Sequence, residues 1–321
     1  MCKSVGMNSN DALADADLRI ICGPTAAGKS AVAMELATRH GLTIVSADSR
    51  QIYRRFDIGT AKPSVDDRAR VPHLGIDVAD PIERWSAARW AADANQAVTA
   101  LGTDRTIVVG GTGFYLRALV APLFEAPALD VARRAALQEE MAGRTLDELR
   151  HWCQTLDPAR AHLGRTQLLR AIEIALLTGR RHSDLLAESD HQIREARPSV
   201  RRVRWLVIDP GERLANQLEG RVDSMLTAGW PEEVRDLAID VPADAPAWQA
   251  CGYAELRENI EGTRTRASAR DAILIATRQY AKRQRTWFRN QLAGADVTRL
   301  DPHDATCDAR VNAWWSGGDS A

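Results

Sequence analysis

Cysteine is scarce. The 321 residues carry five, at Cys2, Cys22, Cys153, Cys251 and Cys307, and no two stand in a CxxC pair. Neither a structural zinc site nor a disulfide framework is expected, and a reducing compartment suits the chain. Excess charge of either sign is also missing: 42 Lys and Arg face 43 Asp and Glu, a net charge of -1. That excludes coating nucleic acid by bulk charge, so any such contact has to be a local patch. Long apolar runs are absent too. Ile20–Ala27 and Thr106–Leu116 are the longest, both contain glycine, and neither spans a bilayer. Residues 1–17 read as a frayed polar start without the basic-then-apolar order of a secretory leader. A cytoplasmic protein with no membrane segment is the expectation. Internal repeats and low-complexity linkers are lacking as well. What remains is ordinary globular composition, 45% hydrophobic and 26% charged, which excludes wholesale disorder.

Periodicity then divides the chain. Leu18–Cys22, Thr43–Ala47 and Thr106–Val109 are short apolar runs that end in Gly or Asp and read as buried strands. Helical spacing over Lys29–His40 and Trp85–Leu101 alternates with them, which is the pattern of a parallel sheet. From about Leu129 to Glu195 the strand pattern disappears, and Ala132–Met141, Leu146–Leu156 and Thr166–Thr178 read as helices. Arg202–Asp209 returns to a strand, followed by helices over Glu212–Ala228, Pro231–Ala238 and Arg266–Gln291. The tail after Asp301 is polar, and Trp314-Trp315 within it has no evident role. The expected organisation is a core at 18–125, a helical insertion at 126–197 and the rest of the core at 198–310.

One segment carries chemistry on its face. Gly23, Pro24, Thr25, Ala26, Ala27, Gly28, Lys29 and Ser30 match G-x-x-x-x-G-K-[ST] between a strand and a helix, the context that motif needs. Glycines let successive N–H groups curl around one anion, and the helix N-terminus adds its dipole. Lys29 brings a point charge to the phosphates and Ser30 a hydroxyl for Mg²⁺. The fold class is α/β: a P-loop NTPase-like parallel sheet flanked by helices, with an inserted all-helical domain. A phosphate loop alone does not name the ester it holds. The strand Thr106–Val109 ends in Gly-Gly-Thr112-Gly, without the metal-holding acid common in nucleotide hydrolases. Asp48 and Asp77 stand as alternative acids, and a turn-capping role for Asp48 stands beside both.

Three further blocks narrow the choice. Ser46-Ala-Asp-Ser-Arg-Gln-Ile-Tyr53 runs into Asp57-Ile-Gly-Thr-Ala-Lys-Pro63; Val108-Val-Gly-Gly-Thr-Gly-Phe-Tyr115 follows; Thr277-Arg-Gln-Tyr-Ala-Lys-Arg-Gln-Arg-Thr-Trp-Phe288 closes the set. With GPTAAGKS these resemble the tRNA dimethylallyltransferase family in order and spacing, over roughly residues 18–290. The resemblance implies transfer of a dimethylallyl group from dimethylallyl diphosphate to the N6 amine of the adenine 3′ of the anticodon. It implies that the loop from Gly23 to Ser30 binds the diphosphate with Mg²⁺ on Ser30. Asp48 would be the general base, Thr112 would touch the reaction centre and Arg278 would grip pyrophosphate. The tRNA anticodon stem-loop would be met by Asp48, Ser49, Arg50, Gln51 and Thr112. Gln167, Leu168, Leu169 and Arg170, in the helical insertion, and Gln249, Ala250, Cys251, Gly252, Tyr253 and Ala254 would join them. A monomer is expected.

Charge patterning agrees with an RNA partner. Arg278, Lys282 and Arg285 share one helical face, with Arg283 and Arg289 nearby and no acid from Arg278 to Arg289. Trp287 and Phe288 read as core side chains rather than stacking platforms. Arg194, Arg197, Arg201, Arg202 and Arg204 form a second cluster, to which Arg180 and Arg181 add. Two other readings compete: a P-loop prenyltransferase or kinase acting on a free adenine nucleotide, and a non-catalytic nucleotide-dependent RNA binder. The helical insertion and the basic stripe favour RNA over a free nucleotide. The joint presence of Lys29, Ser30, Asp48 and Arg278 disfavours the binder.

Overall fold

The computed structural model describes residues 17–121, 129–195, 202–292, 294 and 296–317. Of the expected frayed start, only Asp17 falls among them. The chain divides into two compact units, Met1–Val120 with Arg201–Ala321, and Ala121–Val200.

The first unit is built on a sheet. Along the chain come β1 (Leu18–Cys22), α1 (Lys29–His40), β2 (Thr43–Ser46), α2 (Val65–Arg70), β3 (His73–Leu74), α3 (Ala87–Leu101), β4 (Thr106–Gly110) and α4 (Gly113–Val120). The second unit supplies α5 (Val131–Ala142), α6 (Leu146–Leu156), α7 (Arg165–Thr178) and α8 (His182–Glu195). The first unit resumes with β5 (Val203–Ile208), α9 (Leu214–Thr227), α10 (Trp230–Asp240), α11 (Tyr253–Ile260), α12 (Arg266–Gln291), β6 (Val297–Leu300) and α13 (Cys307–Ser316). The six strands run in the order β3-β2-β4-β1-β5-β6, and every pairing is parallel.

Parallel strands need both faces covered, and the side chains obey that demand. Ile21, Ile107, Val109, Leu206 and Ile208 pack with α1 residues Ala33, Leu36 and Ala37. The alternate residues Ile20, Val108 and Val207 are equally buried on the opposite face. Register does the rest. Cys22 lies opposite Gly110, and Ser46 opposite Val109. The chain therefore leaves β1, β2 and β4 at one level, with Gly23, Ala47 and Gly111 emerging side by side. That carboxyl edge is where open parallel sheets bind ligands.

The polar tail holds a surprise. Two elements near that end of the chain were unforeseen: β6, just ahead of the tail, extends the sheet, and α13, within it, buries Cys307, Val311 and Trp314 against α1 and the sheet. Trp315 stacks on His40 at 5.2 Å between ring centroids and lies under the Arg19 guanidinium at 4.3 Å. The two tryptophans are thus core and edge of the same seam. Replacing Trp314 by alanine is expected to cost roughly 3–5 kcal/mol, because a large ring leaves a cavity that helices close only partly. Urea denaturation followed by far-UV circular dichroism measures it.

The second unit closes a core of its own. Met141, Leu149, Cys153, Leu168, Ala171 and Ile172 interdigitate there. Helix α6 starts at a capping box, Thr145 with Glu148. Buried Glu173 accepts hydrogen bonds from Arg134, Arg170 and Gln138, so its charge is matched. Among the described residues no helix is long and apolar enough to cross a membrane.

Candidate active site

The turn from β1 into α1 sets the site. Gly23 adopts φ +146°, and a Cβ there would lie 2.1 Å from the Ile208 carbonyl oxygen, so only glycine lets the chain turn so close to β5. Gly28 caps α1 with no side-chain cap, and the first turn of the helix carries no acid. Its N–H groups and dipole are therefore left for an anion. The Lys29 ammonium donates to the Pro24 carbonyl at 2.7 Å, folding the lysine over its own loop. Burial lowers the Lys29 pKa to about 8; the Arg221 charge pushes the same way, while Asp48 and Cys22 oppose it. Burial likewise lowers the pKa of Arg221, against the pull of Asp48. Two desolvated cations beside one carboxylate form an arrangement that a multiply charged anion would stabilise.

A test follows from the lysine. Inorganic pyrophosphate is expected to bind less tightly as pH rises through about 8, where Lys29 of the free protein gives up its proton. Binding should then be accompanied by proton uptake, since the anion favours the charged amine. Calorimetric titration in buffers of different ionisation heat reads both effects. Lys29→Arg, which keeps its charge, should flatten the Lys29 part of the slope.

Asp48 comes off the end of β2. One of its oxygens accepts from the Arg50 N–H at 2.8 Å, so the turn-capping role is real. The same side chain also lines cavities on both sides of it. One, of about 440 Å³, is bounded by Lys29, Ser30, Gln51 and His73. The other, of about 420 Å³, is bounded by Arg50, Trp248, Gln249, Cys251 and Tyr280. Thr25, Asp48 and Arg221 belong to both. Thr112 is stitched to the same turn: its N–H donates to the Ala47 carbonyl at 3.2 Å, and its hydroxyl accepts from the Ser49 N–H at 3.0 Å. Gln51 faces the first cavity and uses its amide to hold the Ala61 carbonyl at 2.9 Å.

Asp77 does not compete. Its two oxygens are taken by Lys62 and Arg68. Burial alone would raise its pKa, but hydrogen bonds from those two cations outweigh it and hold the group below the usual carboxylate range. Among the described residues no three His, Cys, Asp or Glu side chains cluster as a metal site. The first cavity does present the Ser30 hydroxyl and the Asp48 carboxylate. That donor set suits Mg²⁺, which keeps waters and takes phosphate oxygens from its substrate rather than a protein cage.

The structure brings together some of the residues read from sequence and separates others. Arg278 was expected to hold pyrophosphate; instead it is half-exposed, 3.6 Å from Glu219, and lines neither cavity. Arg221 stands at the cradle in its place. The sequence reading missed it, although a signal exists: Leu214, Leu218 and Val222 are the buried face of α9, and Arg221 falls on that face. Gln249, Ala250, Cys251, Gly252 and Ala254 line the second cavity. Tyr253 does not. It is fully buried, donates to Glu233 at 2.6 Å and packs on Phe56. In the helical unit, Gln167 accepts from the Gly164 N–H at 3.1 Å, Leu168 is core and half-buried Leu169 packs against it. Arg170 pairs with Glu173.

The basic stripe on α12 is partly neutralised. Arg285 grips Asp209, with its Nε 2.9 Å from one oxygen, whereas Lys282, Arg283 and Arg289 are exposed. Phe288 is core, as expected, and Trp287 is only half-buried beside it. Of the second cluster, Arg202 pairs with Asp296 and Arg204 lies 3.9 Å from Asp17. Arg197, Arg201 and the side chain of Arg194 lie outside the described residues.

A glycine-lined anion cradle at the carboxyl edge of a parallel sheet, with a carboxylate at its mouth, defines a P-loop-like protein built to hold a phosphate ester. Comparison makes this particular. The family model described as IPP transferase matches residues 51–291, and one described as isopentenyl transferase matches residues 16–73. The chain belongs to the IPP transferase family. It is 39% identical to the tRNA dimethylallyltransferase of Deinococcus radiodurans, over 89% of this chain and 94% of that one. Identity with the tRNA dimethylallyltransferase of Halorhodospira halophila is 41%, over 92% of this chain and 96% of that one. The crystal structure of the full-length tRNA isopentenylpyrophosphate transferase of Bacillus halodurans superposes with a TM-score of 0.65 at 30% identity, over 94% of this chain and 95% of that one. A eukaryotic dimethylallyltransferase, solved acting on tRNA, shares the fold with a TM-score of 0.73 at 23% identity, over 94% of this chain and 80% of that one.

Proposed function

We propose that this chain transfers a dimethylallyl group from dimethylallyl diphosphate to the exocyclic N6 amine of the adenine 3′ of the anticodon in tRNA. The observation that carries the reading is the shared wall: Thr25, Asp48 and Arg221 each border both cavities. The donor diphosphate lies in the cradle of the first cavity, against Lys29, Ser30 and Arg221. The unpaired adenine enters the second, beside Trp248 and Tyr280, at the low unstacking cost of a loop base. Its amine and the allylic carbon then meet at Asp48.

The chemistry balances there. The bond between the allylic carbon and the diphosphate oxygen breaks, the N6–carbon bond forms, and pyrophosphate leaves. An adenine amine is a poor nucleophile because its lone pair is delocalised into the ring. Asp48 accepts the amine proton as the new bond forms, which restores nucleophilicity. Lys29, Arg221 and the loop N–H groups meet charge that grows on the departing oxygens. Ser30 would hold Mg²⁺ there, and the ion would supply further neutralisation of that charge. Arg50 borders and Thr112 braces the acceptor side, Gln51 lies on the donor side, Gln249 to Ala254 without Tyr253 form the far wall of the acceptor cavity, and the exposed Lys282, Arg283 and Arg289 meet the RNA backbone.

The test uses purified full-length protein with dimethylallyl diphosphate and Mg²⁺, offered unmodified tRNA or AMP, and separately ATP with small acceptors. Mass spectrometry reads which acceptor gains mass. Prenylation of tRNA at one adenosine is expected. Exclusive modification of AMP, or phosphoryl transfer from ATP, sinks the reading.

A further inference from the structure

One side chain on the wall of the first cavity ties the two halves of this site together. Gln284, on α12, is 7% exposed. Its carbonyl oxygen accepts from the Thr25 N–H at 2.8 Å, and its amide nitrogen donates to the Gly111 carbonyl at 2.9 Å. Thr25 belongs to the anion cradle. Gly111 is one residue before Thr112, which holds the backbone on either side of Asp48 through Ala47 and Ser49.

We infer that Gln284 is a positioning residue that sets the separation between the diphosphate cradle and the Asp48–Thr112 turn, and so the approach of amine to allylic carbon. The inference rests on the proposed prenyl transfer. A side-chain amide suits the place, since it accepts on one side and donates on the other without charge. The surroundings hold it there. A Cβ on Gly111 would lie 2.4 Å from the amide nitrogen, so glycine is what admits the contact. The neighbouring Arg285 anchors the same turn of α12 to Asp209 at the end of β5. The Thr25 N–H is thereby committed to the brace, and the N–H groups left for the anion are those of the residues that follow it.

Positioning differs from binding in what it moves. Each substrate keeps its own contacts when the brace is cut, but the reacting atoms lose their register, and a shift of the order of 1 Å costs about a hundredfold in rate. Gln284→Met keeps the shape and removes both bonds. Gln284→Glu keeps the acceptor for Thr25 and removes the donor to Gly111. Steady-state kinetics on unmodified tRNA should show kcat reduced about 10- to 100-fold in both variants, with KM for tRNA within about twofold in both; KM for dimethylallyl diphosphate should stay within about twofold in Gln284→Met and rise in Gln284→Glu, whose added carboxylate faces the anion cavity. Inorganic pyrophosphate should bind Gln284→Met almost as tightly as the unsubstituted protein and Gln284→Glu less tightly. A Gln284→Met protein with unchanged kcat overturns the inference, because packing alone would then suffice. So does a loss that falls on KM alone, or a failure of both variants to fold as judged by thermal melting. An inactive unsubstituted protein would instead overturn the proposed function.

Discussion

Asp48→Ala loses turnover, with kcat falling by about 10²–10⁴ while inorganic pyrophosphate binds nearly as before. The separation of effects follows from where the carboxylate stands. It borders the cradle but supplies none of its donors; Lys29, Ser30 and the loop N–H groups do that. What it supplies is a proton acceptor beside the entering amine. Asp48→Asn should fall almost as far, since the amide keeps the cap on the Arg50 N–H but cannot take a proton. One electrostatic side effect has to be controlled. Asp48 holds the Lys29 pKa up against burial. Without it Lys29 deprotonates at lower pH, so the comparison is made below neutrality, where the amine is charged in every variant. Single-turnover tRNA prenylation and pyrophosphate titration at that pH decide the matter; full turnover by Asp48→Ala removes the assignment.

Arg221→Ala should behave in the opposite way and weaken the donor side. The guanidinium is desolvated between the two cavities and faces charge that grows as pyrophosphate departs. Its removal is expected to lower kcat/KM for dimethylallyl diphosphate by about 10²–10³. Arg221→Lys should restore little of this, because a point charge does not reproduce the planar two-pronged contact. Arg278→Ala, which breaks only a half-exposed pair with Glu219, should stay within about threefold of the original. Loss of Arg221 also relieves Lys29 of a like charge, so the pH dependence of pyrophosphate binding should move upward. If Arg278→Ala proves the more damaging change, the pyrophosphate contact belongs to α12 after all.

Much of this was readable before any coordinates, and the reason is local. A phosphate loop is a contiguous backbone device, so GPTAAGKS announces its strand, its turn and its helix at once. The helix α1 runs over Lys29–His40, as its spacing implies, and Gly41 ends it in the left-handed region. Asp48 was legible because it closes a strand whose neighbours carry a recognisable block. Arg221 was not, since a single arginine in an amphipathic helix looks like any solvated charge until the helix is laid on the sheet. Arg278 stood out for the matching reason: it sits in a recognisable block, whereas its side chain lies 3.6 Å from Glu219 and borders neither cavity. Strand β3 is two residues long and shows no alternation to read. Helix α13 could have been found, because Cys307, Val311 and Trp314 recur at helical spacing. The polar residues between them hid that stripe.

The position of β1 has a consequence for biosynthesis. It is held between β4 and β5, and β5 is separated from it by the whole helical unit. A nascent chain that has exposed its phosphate loop still lacks one flank of the central strand, and with it the buried arginine and the bracing amide. An amino-terminal fragment that stops before β5 therefore carries the phosphate loop without a finished cradle. The last third of the polypeptide supplies what completes it.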